Sequence, residues 1–143
     1  MNASVPYRIA AVLLLLFAVA HTLGFRQTNP EWKGTDSVIA SMQSTHFDAQ
    51  GFDRTYWDFF SAFGLYCSVF FVFTAALAWQ LGSLSAETFP RRRSIAWALA
   101  MSFAAVTALT WRYGFTTPLV FSAVITVCLI AGATLSSRPI SPT

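Results

Sequence analysis

Charge is what this sequence has least of. Only 10% of its 143 residues are Asp, Glu, Lys or Arg, whereas soluble domains carry about 25%. With 55% hydrophobic residues and a mean hydropathy of +0.55, the chain is poorly equipped to stay dissolved in water. In lipid that composition is ordinary. Cysteine is scarce as well. Cys67 and Cys128 both lie inside apolar runs, with no C-x-x-C and no zinc spacing, so they read as small buried apolar residues. No G-x-S-x-G, P-loop or dinucleotide glycine pattern is present. Nor is there an intramembrane Glu of the kind that drives small proton-coupled exporters. The net charge of +3 and pI near 9.2 do not point to nucleic acid. The basic residues are scattered, apart from Arg91, Arg92 and Arg93 between two apolar runs, where a cytoplasmic loop would carry them.

What is present is four long apolar runs. A helix needs roughly 20 mostly apolar residues to span a bilayer, and an open sheet would leave backbone groups unsatisfied in lipid. The runs predict spans at about 5–25, 57–81, 95–111 and 117–135 within one domain. The first could also be a cleavable signal peptide, with Arg8 before the apolar stretch and Ala18-Val19-Ala20 near its end. We read it as a retained span. The fold class expected is therefore all-α, an integral membrane four-helix bundle. Gly64 with Ser68, and Ala100 with Ala104 and Ala108, predict close helix approach. Phe63, Phe70 and Phe73 would face lipid or a partner. The short link 112–116 makes the last two spans antiparallel neighbours.

One side of the membrane would carry Arg8, Arg91, Arg92, Arg93 and Arg138. The other would carry Arg26, Lys33, Arg54 and Arg112, diluted by Glu31, Asp36, Asp48 and Asp53. Lys and Arg favour the cytoplasm, so both termini are expected there. The loop of about 26–56 would then be extracytoplasmic. Asn29-Pro30 opens it with a turn signal. Asp36 is expected to N-cap a short amphipathic helix running to about Thr45, with Val38, Ile39 and Met42 on one face. Gly51 is expected to mark the turn into the second span.

Charged groups near a span are costly and become functional candidates. His21, Asp58, Arg112 and Tyr113 all fall at similar depth on the outer side. Asp58 could accept one ring N–H of His21 and leave its other nitrogen as a base, which makes the two a candidate catalytic pair. Arg112 could neutralise Asp58 or hold an anionic group, with Trp57, Trp111 and Tyr113 as aromatic walls of a ligand site. Against this, Arg and Asp at helix ends snorkel to water, and Trp and Tyr form the interfacial belt. A transition-metal site of His21, His46 and Asp48 is a further expectation, of the two-histidine, one-carboxylate type. Its spacing is not a metal signature. A bis-histidine haem fits less well, because the two histidines are not on facing spans.

The stretches His21-Thr22-x-Gly24, Met42-Gln43-Ser44 and Arg54-Thr55-Tyr56-Trp57-Asp58-Phe59-Phe60, with Gly64-Leu65, resemble a group of small bacterial membrane proteins with four predicted spans. The resemblance implies a four-span fold in the inner membrane and carries no activity with it. Sterol-isomerase-like four-span proteins are similar in architecture only, since their acidic catalytic residues have no counterparts here. Three functions stand open. One is a bundle that binds a lipid, quinone or other apolar small molecule in an outer-leaflet pocket. Another is a membrane enzyme using His21 and Asp58 as an acid–base pair. The last is a structural or accessory subunit. Membrane lipids are the expected partners, nucleic acid is not, and self-association is left open.

Overall fold

The structure is a computed structural model and describes residues 3–27, 31–85 and 93–136. Among these residues there are five helices and one two-stranded sheet: α1 (Ser4–Gly24), α2 (Thr35–Ser44), β1 (His46–Ala49), β2 (Phe52–Thr55), α3 (Tyr56–Gly82), α4 (Arg93–Tyr113) and α5 (Thr116–Ser136). Four of the helices are long and apolar enough to cross a membrane. At 1.5 Å per residue even the 21-residue ones reach about 30 Å, the thickness of the hydrocarbon layer. Pro118 sits in the first turn of α5, where the missing N–H would have had no helical partner. The expected Asn29-Pro30 turn, and Arg91, Arg92 and Arg138, lie outside the described residues.

The chain divides into two compact units, residues 1–17 with 71–143, and residues 18–70. In the first unit, α4 and α5 are joined by Gly114 and Phe115 alone and pack on each other, with Thr107 and Thr126 hydroxyls 2.9 Å apart. One phenylalanine from each long helix enters a shared aromatic cluster. Phe17 stacks on Phe71 at 4.6 Å and on Phe121 at 5.4 Å, and Phe103 lies 6.3 Å from Phe71. In the same unit Ala10, Ala11, Ala75, Ala78, Ala96, Ala100 and Ala133 are buried. Small side chains let helix backbones approach closely, and close contact is what holds helices together in lipid. Tyr7, fully buried, lies against Gly82 and Gly132, two positions where a side chain would take its space.

The second unit contains the last turns of α1, the segment 31–55 and the first half of α3. Its sheet is a departure from the all-α expectation. His46–Ala49 and Phe52–Thr55 pair antiparallel, with Ala49 opposite Phe52. Gln50 and Gly51 form the two-residue turn with φ of 59° and 89°. Positive φ at both central residues suits the twist of a tight hairpin, and the Asp48 carboxylate accepts the Gly51 N–H at 2.5 Å. Gly51 therefore turns a hairpin rather than leading into α3. The start of α2 also differs. Gly34, left-handed at φ 84°, is the N-cap, and Asp36 lies in the first turn, where its charge favours the helix dipole.

Large apolar side chains are exposed on all four long helices, among them Leu16, Phe63, Tyr66, Phe73, Met101 and Val127. In water such a surface would aggregate; in a bilayer it is the lipid contact. Cys67 belongs to this exposed set, contrary to its expected burial, and Cys128 is half-buried; both are free.

Candidate functional site

His21 lies in the last turn of α1, half-buried. Its Nδ1 is 3.1 Å from the Ser68 hydroxyl on α3. Thr22 joins the same node: its hydroxyl lies 2.8 Å from Ser68 Oγ and 2.7 Å from the Ala18 carbonyl. Ser68 in turn lies 3.2 Å from the Gly64 carbonyl. With Nδ1 protonated, Ser68 accepts from His21 and Thr22 and donates to Gly64. With the other tautomer, Ser68 donates to Nδ1. Nδ1 is engaged in both cases, so any acid–base chemistry at His21 is confined to Nε2. One turn outward, the Phe25 ring covers Gly64 so closely that a Cβ there would overlap it. Phe25 also stacks on His21 at 5.2 Å. The expected small pair Gly64 and Ser68 is thus the seat that α1 packs on.

Asp58 does not join this node. It completes a reciprocal cap on α3. Thr55 N–H donates to the Asp58 carboxylate at 2.8 Å, the Thr55 hydroxyl donates to it at 3.0 Å, and Asp58 N–H donates back to the Thr55 hydroxyl at 3.2 Å. This is a capping box with Asp in place of the usual Glu. Of the expected catalytic pair, His21 thus meets Ser68 and Asp58 meets Thr55.

The expected metal set does not assemble either. His46 Nδ1 lies 3.0 and 3.1 Å from the two Asp53 carboxylate oxygens across the hairpin, and Asp48 is turned onto the hairpin backbone. His21 is held at Ser68 instead. Among the described residues no group of three His, Cys, Asp or Glu side chains is placed to hold a metal ion. Geometry explains the miss: His46 and Asp53 face each other across adjacent strands, a pairing that sequence proximity to Asp48 does not reveal.

Of the expected aromatic walls, Trp57 is half-buried, 5.4 Å from Phe60. Trp111 and Tyr113, in the other unit, are strongly exposed at the end of α4. Arg112 lies there too, its guanidinium 5.0 Å from the Tyr113 ring centre, a cation–π contact that leaves its charge at the helix end. Exposed Trp and Tyr at a spanning helix end match the interfacial belt.

The second unit also holds an open groove of about 300 Å³ between α2 and the start of α3. It is lined by Ser37, Val38, Ser41, Met42, Thr45 and Tyr56. None of these was a candidate from sequence, although Val38 and Met42 were expected to share a helix face. The groove exists because the hairpin folds α2 back beside Tyr56, whose ring packs on Phe47 at 5.0 Å. Ser37 and Thr45 hydroxyls are spent on α2 carbonyls, at 2.8 and 2.7 Å. Ser41 and Tyr56 hydroxyls make no hydrogen bond among the described residues.

Comparison with family models, curated proteins and solved structures finds no match to this chain.

Proposed function

We propose that the protein is a four-helix bundle of the bacterial inner membrane that binds a lipid or similar apolar small molecule at its extracytoplasmic face. Both termini are cytoplasmic on this reading, and α2 lies in the interface with Ile39 and Met42 inward. The observation that carries the proposal is the α2–Tyr56 groove. It combines apolar walls, Val38 and Met42, with two hydroxyls that have no hydrogen-bond partner among the described residues, and it opens at the first residue of a helix long enough to span. Sites for small molecules are commonly apolar with a few placed polar groups. This moves the binding function away from the polar set of His21, Asp58 and Arg112.

The accessory reading has one observation in its favour. Phe25 on Gly64 and the His21–Thr22–Ser68 node make a tight lock between α1 and α3, which suits a structural role for His21. The enzyme reading has less in its favour, since the Asp58 carboxylate takes part in the α3 cap and the His21 Nδ1 lies at Ser68.

The deciding experiment is native mass spectrometry of protein released gently from membranes, wild type beside Val38→Trp. Retained lipid in the wild type and its loss on filling the groove supports the proposal. Equal retention by both proteins overturns it.

A further inference from the structure

We infer that the α2–Tyr56 groove takes the ester region of an uncharged acylglycerol lipid and discriminates against anionic lipids. This rests on reading the groove as a ligand site and adds what that ligand must be.

The lining contains no Lys, Arg or His and no acid, so nothing in it could neutralise a phosphate or carboxylate. The surroundings add repulsion. Ser41, Met42 and Thr45 come from the last turn and C-cap of α2, where exposed carbonyls present the negative end of the helix dipole. Tyr56 opens α3, whose N-terminus would ordinarily attract an anion. There the Asp58 carboxylate already occupies the Thr55 N–H and brings its own negative charge. An anionic head group would thus meet the carbonyl end of α2 and find the Thr55 N–H at the start of α3 already taken by Asp58.

The donors are of the right kind and number for a neutral guest. Ser37 and Thr45 protons go to the Gly34 and Ser41 carbonyls. Among the described residues the Ser41 and Tyr56 hydroxyls have no partner, which leaves two neutral donors for two acceptor oxygens. The two ester carbonyls of a diacylglycerol meet that requirement. Val38 and Met42 then contact the first methylenes of its chains, which continue from the open groove into the bilayer. A volume of about 300 Å³ is at the low end for small-molecule sites and suits the ester region of a lipid rather than the whole molecule.

The test uses the full chain in detergent micelles. Native mass spectrometry compares dioctanoylglycerol with dioctanoyl phosphatidic acid and with a short-chain benzoquinone, for wild type, Ser41→Ala/Tyr56→Phe and Val38→Trp. Circular dichroism checks that each variant stays helical. The expected result is at least about tenfold preference for dioctanoylglycerol over the phosphatidic acid. Losing two neutral hydrogen bonds should weaken dioctanoylglycerol binding by about tenfold in the double variant. Equal or stronger binding of the phosphatidic acid or the quinone, or no effect of the double variant, overturns the assignment of the lipid. If Val38→Trp still abolishes binding in that case, the groove stands as the site. If Val38→Trp changes nothing, the groove reading falls and this inference falls with it.

Discussion

The Phe25 ring lies against the bare backbone of Gly64, occupying the place where any other residue would carry its Cβ. This pair brings α1 and α3 close enough for the Ser68 hydroxyl to meet His21 and Thr22. Adding one methyl at the glycine must therefore displace the Phe25 ring or the backbone beneath it. Gly64→Ala should destabilise the protein by about 1–3 kcal/mol, the usual cost of overpacking. Phe25→Ala on the same background should recover part of that loss, so the two changes will be non-additive. Unfolding in mixed detergent–SDS micelles measures both.

Ser68 serves three partners with one hydroxyl. Ser68→Ala removes the contacts to His21 and Thr22 and leaves helix packing intact. The expected loss is about 1 kcal/mol, in line with measured interhelical hydrogen bonds in membranes. A change in the His21 ring nitrogen NMR shifts should accompany it. Unchanged shifts would show that Nδ1 is not engaged at Ser68.

Tyr7 is fully buried between Gly82 and Gly132. Tyr7→Ala should cost about 3–5 kcal/mol, as for other large aromatic truncations. Gly132→Ala would bring its methyl within 2.8 Å of the Tyr7 ring and should destabilise as well. Tyr7→Phe keeps the ring and should be the mildest of the three, as thermal unfolding in micelles will show.

Thr55 and Asp58 cap α3 reciprocally. Thr55→Ala should cost about 1 kcal/mol, typical of a lost N-cap. Asp58→Asn should lower stability less than Asp58→Ala, since an amide oxygen still accepts from Thr55. Neither Asp58 change should abolish lipid retention, because the carboxylate makes no part of the groove lining. Loss of retention in Asp58→Asn without loss of helix content would return Asp58 to the binding site.

The spanning helices were legible because an apolar run of bilayer length has few other folded fates. The seat for α1 was legible as well, since Gly64 and Ser68 lie one turn apart. Which side chain of α1 meets Ser68 was not, because it depends on the rotational phase of two helices. The role of Asp58 could have been read. Thr55-x-x-Asp58 before an apolar run has the form of a capping box, but its membrane depth drew it towards His21. The hairpin was hidden by its turn. Gln50-Gly51 is a weaker signal than Asn-Gly, and its strands are only four residues each. Without the hairpin α2 has no reason to lie beside Tyr56, so the groove could not be foreseen from Val38 and Met42.

A photo-crosslinking residue placed in the living membrane tests the groove most directly. At Met42, which lines it, irradiation should attach a species of lipid mass. At Gln43, the exposed neighbour outside the lining, it should attach far less. Equal labelling at both positions, or none at Met42, contradicts the assignment of the groove as the lipid site.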